Sequence, residues 1–166
     1  MPHLRCLFLL PLLLLAGCGF HLRGAYVLPF DSIYVALPEN NDLRATLKRN
    51  LQAATGVKVS DTAATAAATL RVLADNQQKN ILSIGSDGRV REYQLVRSFS
   101  FRVDDKAGRA LLAPSAIVLR RDVTFNDSAV LSKEAEDNLL WRDIQDDLVQ
   151  QVLRRLAAAK PPAHID

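Results

Sequence analysis

Between Gln94 and Val103 the chain alternates without a break. Leu95, Arg97, Phe99, Phe101 and Val103 face one way, and Gln94, Val96, Ser98, Ser100 and Arg102 face the other. A period of two marks a strand with one face in a core and one in water. Asp104-Asp105-Lys106-Ala107-Gly108 then makes a turn, and a returning strand puts Ile117, Leu119, Arg121, Val123 and Phe125 on one face. Ahead of the first strand stands Ser86-Asp87-Gly88-Arg89. Its Asp-Gly pair readily takes the geometry that a tight turn between right-twisted strands requires. Long alternating strands separated by turns restrict this part of the chain to an antiparallel meander, whose dry face something apolar must cover.

Two helices are available for that. Asn40 or Asn41 can cap a helix from about Asp42 to Ala54, in which Leu43, Leu47 and Leu51 recur every four residues and Gly56 fits the left-handed residue past the end. A longer helix runs from an Asn126-Asp127-Ser128 cap to about Ala159, where Lys160-Pro161-Pro162 stops it. Leu140, Ile144, Leu148, Val152 and Leu156 form its stripe, widened by Trp141, Val149 and Leu153. Earlier, Ile33, Val35 and Leu37 share one face of a strand that Pro38 ends, and the Ala- and Thr-rich stretch from Val57 to Ala68 reads as a loop. A strand starts at Leu70-Arg71-Val72-Leu73-Ala74, with Leu70, Val72 and Ala74 on one face. The polar run Asn76-Gln77-Gln78-Lys79-Asn80 follows, and Ile81-Leu82-Ser83-Ile84 resumes apolar character. The expected order is β-α-β-β-β-α. This is an α+β two-layer sandwich: an antiparallel four-stranded sheet with two helices on one face.

The N-terminus adds a second constraint. Arg5 supplies a positive start, and Leu7 to Leu15 an apolar run of signal-peptide length, well short of the ~20 residues that span a bilayer. Leu15-Ala16-Gly17-Cys18 closes the run in the pattern a lipoprotein signal peptidase reads, with Cys18 as the acylated thiol. The alternative is a secreted chain with a Cys at this place by accident. At ~0.8 kcal/mol per buried CH₂, two or more acyl chains anchor stably where one does not. Gly19 follows the cysteine, where Asp would favour inner-membrane retention in enterobacteria-like sorting, and so points to the outer membrane. The expected organisation is a signal peptide 1–17, a lipidated leader 18–30, a single α+β domain 31–160 and a flexible tail 161–166.

The expected mature chain has 149 of the 166 residues, one ordinary domain. Its net charge is about +2, from 20 basic and 18 acidic residues after loss of Arg5, too mild to argue for nucleic acid. The basic residues are nonetheless bunched. Arg89, Arg91, Arg97, Arg102, Lys106, Arg109, Arg120 and Arg121 precede acidic residues gathered from Asp122 to Asp147. That layout fits a partner with phosphates or an anionic lumen, or else outward-facing strand positions that happen to be Arg. Catalytic material is poor. His3 is cleaved off, His21 lies beside the lipid and His164 is in the tail, which excludes Ser-His-Asp chemistry and most zinc sites from the folded body. Cys6 is removed and Cys18 is consumed, leaving no disulfide and no cysteine nucleophile. Glu134 and Asp137 share a helix face and read as solvated charge. The expectation is a protein that is not an enzyme and holds no metal or cofactor beyond the lipid on Cys18.

The mature start Cys18-Gly19-Phe20-His21-Leu22-Arg23-Gly24 behind a lipobox, with this element order, resembles the LptE (RlpB) family of lipopolysaccharide-assembly lipoproteins. Glu92-Tyr93-Gln94-Leu95 opening a long strand, and Lys133 with Glu136-Asp137-Asn138 at the head of the last helix, support it. The resemblance spans 18–160. It implies a one-to-one complex with the LptD β-barrel, in which the domain plugs the lumen and helps the barrel assemble. It also implies contact with lipopolysaccharide on its way to the surface and a lipid anchor on the periplasmic side of the outer membrane. Family contacts for lipopolysaccharide are basic residues near the hairpin end and the helix head. Lys133 matches the second place, though a solvated helix residue is its plain alternative. At the first, the tip reads Gly85-Ser86-Asp87-Gly88 without the expected Arg, and Arg89 and Arg91 flank it. The competing readings are a free-standing envelope lipid-binding adaptor with no barrel partner, and a lipid-anchored envelope hydrolase, which lacks residues to run on.

Overall fold

A computed structural model describes residues 26–124 and 130–159, with the side chains of the last helix described from residue 134 onward. The signal peptide, Cys18, Gly19, Phe125, the Asn126-Asp127-Ser128 cap, the Lys160-Pro161-Pro162 stop and the tail lie outside the described residues. The elements are β1 (Ser32–Ala36), α1 (Asp42–Thr55), β2 (Lys58–Ser60), a 3-10 turn (Ala63–Thr65), β3 (Ala68–Ile84), β4 (Val90–Asp105), β5 (Ala110–Thr124) and α2 (Val130–Ala157).

The α+β class and the two helices on one face are as expected, but the sheet differs. It has five strands in the order β2-β1-β3-β4-β5 and is mixed. β1 runs parallel to both β2 and β3, while β3, β4 and β5 form the antiparallel meander. The 14-residue helix α1 carries the chain back to its starting edge, so the strands that follow run in the direction of β1. The stretch from Val57 to Ala68 is not all loop, because β2 pairs Ser32 with Lys58 and Ile33 with Val59. Three residues of mixed exposure carry too little period to be read. Asn41 caps α1 by accepting the Arg44 N–H at 3.1 Å, and Gly56 ends it at φ 67°.

β3 is also one strand rather than two. The polar run from Asn76 to Asn80 pairs residue by residue with Gln94 to Ser98 of β4. Beyond Arg71 no strand pairs with the other edge of β3 among the described residues, and both of its faces are largely exposed there. Hydrogen bonding on one edge satisfies the backbone and water takes the other, so polar side chains on both faces cost little.

Within β3 the register shifts by one residue between Val72 and Ala74. Leu73 is the extra residue of a β-bulge, and it is 52% exposed. Because side chains alternate with period two, one extra residue exchanges the faces of everything beyond it. Leu70 and Val72 sit opposite Val103 and Phe101 on the helix side, whereas Ala74 sits opposite Ser100 on the open side. Ala74 therefore does not share a face with Leu70 and Val72, and Asp75, Gln77 and Lys79 turn toward the helices. A second shift, at Pro114 of edge strand β5, places a residue with no N–H where no ladder bond is needed.

The core lies between the sheet and the helices as the stripes foretold. Leu43, Leu47 and Leu51 of α1 and Ile144, Leu148, Val152 and Leu156 of α2 meet Leu95, Phe99, Phe101, Val103, Ile117 and Leu119. Leu28 and Phe30, at the end of the leader, are buried in the same cluster. Among the described residues no helix is long and apolar enough to cross a membrane.

Candidate functional site

The end of the molecule that gathers the sequence's candidate residues is the β3–β4 hairpin. Its turn is closed by the Gly85 N–H donating to the Arg89 carbonyl at 2.7 Å and the Gly88 N–H donating to the Gly85 carbonyl at 2.9 Å. The Asp87 carboxylate accepts the Arg89 N–H at 3.2 Å, and Gly88 takes φ 79°. Arg89 and Arg91 are both exposed. Arg91 lines a shallow cavity of about 460 Å³ with Ser83, Ile84, Glu92 and Thr124, in which the Ser83 hydroxyl donates to Glu92 at 2.9 Å. Arg91 makes no ion pair among the described residues, so its fork of donors faces solvent.

Helix α2 points its first turns at the same end. Asp137 on α2 meets Tyr93 near the start of β4, and Gln145 meets Arg97 further along it, so α2 runs alongside β4 from the hairpin onward. Lys133 belongs to α2 one turn before Asp137, and its side chain lies outside the described residues. The fold thus brings Arg89, Arg91 and Lys133 to one end of the sandwich. Cys18 lies outside the described residues.

What fastens that end was not read from sequence. Tyr93, 1% exposed, donates its hydroxyl to Asp137 Oδ1. Lys79 donates to Asp137 Oδ2 at 2.6 Å while its ammonium sits 3.8 Å from the centre of the Tyr93 ring. Burial pushes the Tyr93 hydroxyl well above the usual phenol range, helped by its hydrogen bond to Asp137 and the negative charges of Asp137 and Glu136. The three side chains pin the head of α2 to the two strands of the hairpin. Lys79 was hidden inside a polar run whose face the Leu73 bulge reverses.

The bunched arginines resolve mostly into pairs. Arg97 binds Asp75, Arg71 and Arg102 share Asp104, and Arg109 holds Asp105. Arg121 alone of them reaches the acidic helix, at Asp147. The helix-free face of the meander is polar and finely alternating. Gln94, Val96, Ser98 and Ser100 run down its centre, flanked by Asn76, Gln78 and Asn80 on one side and Val118, Arg120 and Asp122 on the other. Among the described residues no group of His, Cys, Asp and Glu is placed to hold a metal ion. Nothing in this arrangement performs chemistry on a substrate, and its exposed donors suit an anionic ligand.

The family profile described as LptE, lipopolysaccharide-assembly, matches residues 30–156. The chain is 28% identical over 154 residues to the LPS-assembly lipoprotein LptE of Pectobacterium atrosepticum, covering 89% of this chain and 80% of that one. Among solved structures, it is similar to uncharacterized lipoprotein B of Nitrosomonas europaea (TM-score 0.73, 35% identity, 84% of this chain and 91% of that one). It is also similar to the rare lipoprotein B of Shewanella oneidensis (TM-score 0.66, 25% identity, 76% and 94%).

Proposed function

Since the chain belongs to the LptE lipopolysaccharide-assembly family, whose members are non-enzymatic envelope lipoproteins, we propose that it acts as the lipid-anchored plug of the LptD β-barrel at the outer membrane. In this reading Cys18 carries the lipid, the domain occupies the barrel lumen from the periplasmic side at one-to-one stoichiometry, and it helps the barrel assemble. Arg89, Arg91 and Lys133 contact lipopolysaccharide during delivery to the cell surface. The observation that carries the reading is the family match over the whole folded body, 30–156.

The physical properties agree with it. A plug in a wet lumen needs a surface that stays hydrated yet presents ordered hydrogen-bonding groups, and the helix-free sheet face has Ser, Gln and Asn in regular rows. Lipid A phosphates call for exposed guanidinium or ammonium groups, which bind phosphate through charge-assisted hydrogen bonds. Arg89 and Arg91 supply them beside a rigid turn.

The test is affinity purification of the tagged, lipidated protein from detergent-solubilised outer membranes, with identification of what comes with it. A large outer-membrane β-barrel at near one-to-one ratio is the expected result. Recovery of the protein alone, with salt-sensitive binding to anionic lipid, overturns the plug and leaves a free-standing envelope adaptor.

A further inference from the structure

Where the first turn of α1, the middle of β3 and one flank of α2 meet, the surface sinks into a groove of about 360 Å³ lined by Asp42, Gln77, Asn138, Trp141, Arg142 and Gln145. Helical spacing accounts for three of these. Asn138, Trp141 and Gln145 stand on one flank of α2, beside the Ile144 and Leu148 stripe that enters the core. Trp141 is half-buried, packed against the core and lining the groove with the rest of its ring. The Leu73 bulge brings Gln77 to this side of the sheet.

The polar groups are of both kinds and partly held in place. Gln145 accepts from Arg97 Nη1 at 3.2 Å and donates to Thr46 at 3.4 Å, so its amide is oriented before any ligand arrives. Arg142 Nε donates to the Asn138 carbonyl at 3.3 Å. The side chains of Asp42, Gln77 and Asn138 make no hydrogen bond among the described residues. One acid and one base leave the groove close to neutral, which disfavours a phosphate as its ligand. An apolar ligand would strand the amides. A sugar ring satisfies both features. Its C–H face is apolar and packs on the electron-rich face of an indole, while its rim of hydroxyls both donates and accepts, as amide side chains do.

We propose that this groove is a saccharide subsite, with Trp141 as the platform and Gln77, Asn138, Gln145 and Asp42 as the hydroxyl readers. Resting on the function proposed above, the saccharide is the core-sugar portion of lipopolysaccharide. The subsite is separate from the basic end, since Gln77 lies about 20 Å along β3 from Ser83 of the hairpin cavity.

Trp141 is the chain's only tryptophan, so intrinsic fluorescence reports on this groove alone. The probe is core oligosaccharide released from lipopolysaccharide and dephosphorylated, titrated into the full-length lipidated protein in detergent. The expected result is a saturable change in Trp141 emission. By calorimetry, Asn138→Ala and Gln77→Ala should bind at least about fivefold more weakly with unchanged unfolding midpoints, since both side chains are exposed. No saturable change up to about 10 mM, or equal binding by both variants, overturns the subsite. An equal response to a peptidoglycan disaccharide overturns the assignment to lipopolysaccharide. Barrel capture and intact lipopolysaccharide binding are measured alongside. If both persist while the oligosaccharide is silent, the subsite fails and the proposed function stands. If the oligosaccharide binds and no barrel is captured, the plug fails and the saccharide groove stands.

Discussion

Arg97, 3% exposed on the helix side of β4, donates through Nε and Nη2 to both carboxylate oxygens of Asp75 on β3, at 2.9 and 2.8 Å. A guanidinium taken out of water needs its fork of donors matched, and a carboxylate offers two acceptors at the right spacing. The pair exists because the Leu73 bulge turns Asp75 toward the helices. Gln145 of α2 adds a third contact at 3.2 Å, so the sheet and the long helix share one buried charge.

Asp75→Ala leaves that guanidinium uncompensated. A fully buried broken pair costs about 3–5 kcal/mol, and because Asp75 is 24% exposed the expected loss is about 2–4 kcal/mol, read by urea unfolding. Replacing both partners together with apolar residues, Asp75→Leu and Arg97→Met, should recover most of it. Equal stability of Asp75→Ala and the parent would show that water already solvates Arg97.

Tyr93 gives the protein an alkaline limit. Its hydroxyl stays protonated in the fold to higher pH than in the unfolded chain, because of burial first and its bond to Asp137 second. A raised folded pKa means this stability is complete below about pH 10 and is lost as pH rises above it, when the unfolded tyrosine ionises. Tyr93→Phe should lower stability at pH 7 by about 1–2 kcal/mol, as for a hydrogen bond to a charged group, and flatten the decline between pH 9.5 and 11.5. Thermal melts across that range decide it, and parallel slopes would remove Tyr93 as the cause.

Gly88→Ala should cost about 1 kcal/mol. Gly88 takes φ 79°, and a Cβ there meets nothing within 4 Å, so the cost is purely backbone conformation. Gly88→Asn, which tolerates left-handed geometry better, should cost less. Chemical denaturation of the two variants should rank them in that order, and the opposite order would reject the conformational account.

Reversing the charges of the hairpin end and helix head together, Arg89→Glu, Arg91→Glu and Lys133→Glu, should reduce lipopolysaccharide capture at least about tenfold with little change in melting temperature. Lys106→Glu, in the opposite β4–β5 turn and equally exposed, serves as the control and should capture normally. Loss in both variants would point to overall charge rather than to this end of the molecule.

Much of this protein was written in local pattern. The alternation from Leu95 to Val103, the four-residue recurrence from Leu140 to Leu156, the Asn41 cap and the Asp87-Gly88 turn each depend on neighbours within a few positions, and each stands in the structure as read. The family resemblance rested on the same local material, and the profile match over 30–156 agrees with it. Tertiary structure decided the rest. Whether β1 runs with or against β3 depends on where α1 returns the chain, a property of packing and not of residue period. Whether Asp75 and Lys79 face helix or water depends on one bulged residue, Leu73, that no composition rule marks. Tyr93, Lys79 and Asp137 lie up to 58 positions apart and become one contact only when a strand, its neighbour and a helix end are laid together.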